Sequence, residues 1–201
     1  MSTRPHRGRG PQERVAERRA RLIVAGLDMW GECGWSGVSV RGVCARARLT
    51  DRYFYESFDG REALLLAVFD QALADLMAAM AAVPWEGEPR PFMRASMTAV
   101  FAALDADPRL ARVTRSDTSG SPALERRRHE ALDAIADLIT ARITAVSEGP
   151  MDADSVRAPV RFCVAGVLEL ISMWLGGRLE ATVEQLADQC SDLCARVFGI
   201  P

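Results

Sequence analysis

Lysine is absent from this chain of 201 residues, and all 25 of its basic residues are arginines. A coding bias accounts for that as readily as phosphate contact does, so it carries no functional weight. Histidine is scarce, with only His6 and His129 present. No GxSxG, P-loop or dinucleotide-type glycine motif occurs, so the activated groups of the common enzyme classes are missing. His129, within "LERRRHEAL", reads as a solvated face residue rather than a general base. No stretch approaches the roughly 18 uninterrupted apolar residues of a membrane span, and the arginine-dotted start lacks the apolar run of a signal peptide. The five cysteines, at 33, 44, 163, 190 and 194, are odd in number and include no CxxC pair. They suit a reducing cytoplasm, not a disulfide framework or a zinc site. Cys190 and Cys194, one helical turn apart, read as small buried hydrophobes. No metal and no cofactor is expected.

What is present is a folded chain with a divided charge. Hydrophobic residues make up 49% of the sequence, which rules out disorder as the overall state. Residues 1–52 hold 11 Arg against 5 Asp or Glu, a balance of +6, and the remaining 14 Arg and 22 acids sum to -8, giving the net -2. A basic N-terminal part and an acidic remainder point to two jobs.

Residues 1–11, "MSTRPHRGRGP", are expected to form a flexible basic arm, because they hold almost nothing apolar. From Gln12 to Cys33, Val15, Leu22, Ile23, Ala25, Gly26, Met29 and Trp30 mostly follow three-and-four spacing. This predicts a first helix, with Gly34 at its C-terminal end. Ser39 is placed to accept from the amide of residue 42 and so to start a second helix, whose buried stripe is Val40, Val43, Cys44 and Ala47. Thr50 is placed to cap a short third helix, in which Phe54 and Phe58 face inward and Tyr53 and Tyr55 point elsewhere. Two short helices joined by a tight turn suit a helix-turn-helix, since an α-helix fits the major groove of DNA.

The stretch "SVRGVCARARLTDRYFYESF", residues 39–58, with "RLIVAGLDMWGECGW" before it and "REALLLAVF" after it, resembles the DNA-binding domain of the tetracycline-repressor-like (TetR) family of transcriptional regulators. The resemblance covers about a quarter of the chain. It implies an all-α homodimer whose N-terminal three-helix domain (12–61, motif 39–58) binds a near-palindromic operator in double-stranded DNA. The C-terminal bundle (62–201) would bind a small, largely apolar effector that releases the DNA. By position, the resemblance gives Ser39 a phosphate contact, Arg41 a base or phosphate contact, and Thr50, Asp51, Arg52 and Tyr53 the exposed start of the recognition helix. Tyr55 takes the place of a phosphate-contacting tyrosine, and Arg61 that of a basic clamp on the backbone. Three positions depart from the family pattern. Arg48 stands where the turn usually has glycine, Gly42 where an acid would complete a capping box, and Tyr53 where a small residue is common.

Beyond residue 62 the spacing predicts a helical bundle. Helices are expected over 62–83, 91–106, 108–115, 122–147, 153–176 and 182–198, separated by proline and glycine joints. The segment "RFCVAGVLELISMWLGG" is apolar nearly all round and needs cover on two sides, which a partner subunit would provide. The last helix carries Val183, Leu186, Cys190, Leu193, Cys194 and Val197 toward the same two-fold interface. Met97, Phe101, Phe162, Met173 and Trp174 are the candidate effector-pocket residues, because methionine and aromatic side chains accommodate apolar ligands. An effector-independent architectural DNA binder is the alternative function, and a small helical enzyme the remoter one.

Overall fold

The structure is a computed structural model that describes residues 10–115, 121–146 and 152–200. All but the last two residues of the expected N-terminal arm lie outside them. The described residues form nine α-helices and no strand: α1 (Pro11–Gly37), α2 (Val40–Ala47), α3 (Asp51–Tyr55), α4 (Arg61–Ala81), α5 (Pro89–Ala106), α6 (Pro108–Arg115), α7 (Pro122–Val146), α8 (Ala153–Leu175) and α9 (Val183–Phe198). The chain divides into two compact units, Met1–Gln71 and Ala72–Pro201, and the division falls within α4.

In the first unit, α1 begins with Pro11, whose missing N–H costs a helix nothing at that place, while the Glu13 carboxylate accepts from the Gly10 amide at 2.8 Å. Its buried residues are Leu22, Ile23, Ala25, Gly26, Leu27 and Trp30. Val15, expected on that stripe, is 42% exposed. Gly34 adopts φ 73° and ψ 166° and kinks the helix there, so the first helix proper ends where the sequence indicated, with one more turn before Val38. Gly26 is a point of close approach to α4: a Cβ there would stand 2.8 Å from Val68 Cγ2. Leu22, Trp30, Val43, Phe54, Leu64 and Val68 are fully buried and make the core that holds α2 and α3.

In the second unit, α5 packs on α9 and α6, α7 on α8, and α8 on α9. Ion pairs of Arg90 with Asp192 and Arg94 with Asp188 line the α5–α9 seam, and those of Arg157 with Asp137 and Arg161 with Asp133 line the α7–α8 seam. These pairs are exposed at both partners and set register more than stability. Between α7 and α8, Ala136, Val156 and Val160 form a core patch, joined by Ile139, Ile143, Val164 and Phe198.

Although no stretch is apolar without interruption, residues 61–81 and 155–175 are long and apolar enough by composition to cross a membrane, with mean hydropathies of 1.7 and 1.5. In α8 only 11% of that window is buried within the chain. Phe162, at 70% exposure, Leu193 at 47% and Val197 at 42% stand out from α8 and α9. Leu186, Cys190 and Cys194 of α9 turn the other way and are buried.

Candidate nucleic-acid interface

Helix α2 starts at Ser39, whose Oγ accepts from the Gly42 amide at 3.2 Å while its carbonyl accepts from Val43 at 2.9 Å. Gly42 lacks the acid that would complete a capping box, but a Cβ there would meet Met29 Cε at 2.6 Å, so the missing side chain leaves room for α1. Three buried residues, Val43, Cys44 and Ala47, anchor α2. The chain then leaves the helix through Arg48, in the left-handed region at φ 52° and ψ 47°. Arg48 N–H donates to Ala45 O at 3.2 Å and Leu49 N–H to Cys44 O at 2.9 Å, the paired bonds of a Schellman ending. Such an ending usually holds glycine. Arg48 is the one non-glycine residue with positive φ among those described.

Thr50 precedes α3 in an extended conformation, but its hydroxyl makes no capping bond, contrary to expectation. The helix start is held by backbone bonds to the Thr50 carbonyl from Tyr53 and Phe54, with the Asp51 carboxylate in the first turn. Burial and that carboxylate push the Cys44 thiol up to about 11. Phe54 and Phe58 are buried with ring centroids 5.7 Å apart, and they hold α3 from behind.

Of the residues expected at a DNA surface, all but Arg61 face solvent. Ser39, Arg41, Thr50, Asp51, Arg52, Tyr53 and Tyr55 are all exposed, Tyr55 at 61%. Tyr55 packs its ring edge to face on Phe54 at 5.3 Å, which leaves its hydroxyl end outward. Arg52 pairs with Glu56 at 3.1 Å with 83% of its side chain exposed. Arg41 has no ion-pair partner among the described residues.

Arg61 is placed differently from a free backbone clamp. Half-buried, it donates from Nε to Val38 O at 2.5 Å and from Nη2 to Trp35 O, with its guanidinium over the Trp35 ring. Two neighbours of α3 were not legible as such. Arg18 lies over the Tyr53 ring at 4.6 Å and 3.7 Å from Glu56, and Arg19 lies over Phe58 at 4.8 Å. Both belong to the polar run "ERRAR" of α1, where only the density of arginine hinted at a role.

In the second unit, a cavity of about 440 Å³ opens between α5, α6 and α8. Leu104, Asp105, Pro108, Ala111, Arg112, Trp174 and Leu175 line it. Of the five expected pocket residues, Trp174 alone lines this cavity. Phe101 is buried 6.4 Å from the Trp174 ring, Met97 and Met173 are half-buried elsewhere, and Phe162 stands on the surface. The Trp174 indole N–H is spent on Ala181 O at 2.9 Å, so the ring offers the cavity an apolar surface. His129 is exposed, its Nδ1 2.9 Å from Glu125 O, and no group of metal-ligating side chains occurs among the described residues.

Residues 22–68 match the family model described as bacterial regulatory proteins, tetR family. No curated protein matches the chain. Among solved structures, a tetR-family transcriptional regulator from Streptomyces coelicolor superposes with a TM-score of 0.76 at 20% identity, covering 92% of this chain and 82% of that one. The fatty acid degradation regulator FadR from Bacillus halodurans gives a TM-score of 0.68 at 17% identity, covering 94% and 96%. FadR from Bacillus subtilis, solved in complex with stearoyl-CoA, gives 0.65 at 19% identity, covering 87% and 96%. At these identities the superpositions speak for the fold. The match gives residues 22–68 the likeness of a TetR-family N-terminal segment, and the superpositions show that the chain shares the fold of those regulators.

Proposed function

We propose that the chain binds a near-palindromic DNA duplex as a homodimer through α2 and α3, and represses transcription until a small effector occupies its C-terminal part. The observation that carries this reading is the two-sided construction of α3. Phe54 and Phe58 are buried on one side, and Arg52, Tyr53 and Tyr55 are exposed on the other, within five residues of the exposed Thr50. Residues of a short helix that spend no area on the core and carry donors suit base edges and phosphates. Residues 12–61 would then do the DNA work, and 62–201 the pairing and sensing, in the cytoplasm.

A homodimer is supported by the outward apolar residues of α8 and α9, Phe162, Leu193 and Val197, which a monomer would leave in water. One reading helix per chain then doubles into a two-fold pair that suits an inverted repeat. An effector is supported by the cavity beside Trp174, whose volume of about 440 Å³ lies in the range of small-molecule sites.

Fluorescence anisotropy of a labelled duplex pool, titrated at a series of salt concentrations, tests the DNA reading. With Arg41 and Arg48 of two chains reaching phosphates, log K against log salt should fall with a slope of about -3.5. A flat response would remove phosphate contact from the account.

A further inference from the structure

Arg41, Arg48 and Arg52 are exposed on α2, α3 and the turn between them, yet Glu56, at the end of α3, puts a carboxylate beside Arg52. A carboxylate repels phosphate, so a surface that only had to hold duplex would be better without it. The contacts of Glu56 show what it holds. Its Oε1 accepts from Arg52 Nε at 3.1 Å, and its Oε2 lies 3.7 Å from Arg18 Nη2 of α1. Arg18 is itself seated, with its guanidinium 4.6 Å from the centroid of the Tyr53 ring and 22% of its side chain exposed, against 83% for Arg52. We propose that Glu56 is a specificity-determining positioning residue: anchored to α1 through Arg18, it restrains the Arg52 guanidinium for base reading and keeps it from the phosphates. This rests on the DNA reading proposed above and adds what restrains its reading arginine.

An unrestrained arginine turns about several bonds, and any phosphate within reach satisfies it. The bond at Nε limits the guanidinium plane and leaves both Nη groups outside it, a pair able to meet a guanine edge bidentately. The negative charge acts in the same direction, since a phosphate drawn to Arg52 must also approach the carboxylate. Both effects weaken backbone contact more than base contact, so general affinity is given up for discrimination. A pair this exposed adds little to stability, which separates the role from a structural one.

The test compares full-length wild type, Glu56→Gln, Arg52→Ala and the double variant over a series of salt concentrations. The probes are the repeat that wild type selects from random duplexes, its single-base variants, and an unselected random duplex of equal length. Glu56→Gln should bind the random duplex more tightly. Its log K against log salt should be steeper by about 2 for the two chains, because a freed Arg52 reaches one more phosphate in each. Its discrimination at one base pair of the selected repeat should fall about 5-fold. In the Arg52→Ala background the same substitution should leave the ranking of variants as Arg52→Ala alone sets it. Retained discrimination in Glu56→Gln, weaker binding to every duplex with the ranking kept, or further re-ranking in the double variant overturns the proposal and leaves the DNA reading standing. Selection of no repeat overturns the DNA reading itself, and no re-ranking by Arg52→Ala overturns its assignment of Arg52; the proposal falls with either. If Glu56→Gln does not fold, as judged by helical circular dichroism, Arg18→Gln decides, since it loosens the same carboxylate from α1. Discrimination should fall there too, and unchanged discrimination overturns the proposal.

Discussion

The Arg61 guanidinium sits 5.4 Å from the centroid of the Trp35 ring and donates to the Trp35 carbonyl, so the first turn of α4 is fastened to the corner where α1 gives way to α2. A second bond to Val38 O completes the fastening one residue before Ser39. Arg61 thus sets the position of α2 whatever it does toward DNA.

Arg61→Gln should therefore lower the stability of the N-terminal unit. A hydrogen bond from a charged donor contributes about 1.5–3 kcal/mol, and the variant leaves two carbonyls short of their partner. Urea unfolding followed by tryptophan emission measures it. Unchanged stability with weakened DNA binding would return Arg61 to a backbone clamp.

Arg48→Gly should stabilise the fold. A left-handed conformation costs a non-glycine residue roughly 1–2 kcal/mol, and the extra freedom of an unfolded glycine takes back about 0.5–1 kcal/mol. The urea midpoint should rise, while duplex affinity falls a little with the loss of an exposed cation.

The helices were legible in the sequence because their apolar spacing is regular and their joints hold proline or glycine. Ser39, Phe54 and Phe58 were legible for the same local reasons: a hydroxyl three residues ahead of an amide, and a four-residue interval of rings. The remainder depends on contacts that spacing does not encode. Val15 keeps the period of α1, yet the buried residues of that helix begin only at Leu22. Thr50 has the right residue type for a cap, but its side chain makes no such bond. The inward turn of Arg61 joins it to residues more than twenty positions earlier. The cavity draws three lining residues from α6, a short helix without aromatic or methionine side chains to mark it.

Tyr55→Phe and Arg52→Ala separate positioning from reading. Tyr55 is exposed and braced on Phe54, so loss of its hydroxyl should weaken all duplexes about equally with the fold intact. Arg52→Ala should change the ranking of single-base operator variants, with discrimination at one base pair falling by about 1–3 kcal/mol if it contacts guanine. The same variant frees Glu56, an exposed pairing partner whose loss matters little for stability. A panel of variant duplexes at fixed salt distinguishes the two effects.

Asp107 supplies a pH-dependent prediction. Its carboxylate accepts from the Arg109 amide at 2.9 Å, capping α6 behind Pro108, and pairs with the Arg109 side chain at 2.7 Å. Those bonds hold the carboxyl below its ordinary value. A lowered folded value means stability that is present above the unfolded value of about 3.9 and is lost as pH falls through the folded one. Asp107→Ala should cost about 1 kcal/mol at pH 7. The difference from wild type should shrink once the pH drops below about 4. Urea midpoints of both proteins at pH 7, 5 and 3 check the sign.

The central claim is sequence-specific recognition of duplex DNA by α2 and α3 of a paired chain. Affinity selection from random duplexes with the full-length protein, followed by sequencing and by sedimentation of the complex with the selected site, tests it most directly. The account predicts an enriched inverted repeat whose half-sites are separated by about one helical turn, close to 10 base pairs, with an even number of chains bound. Enrichment of no motif, or of a motif bound by a single chain, would contradict it.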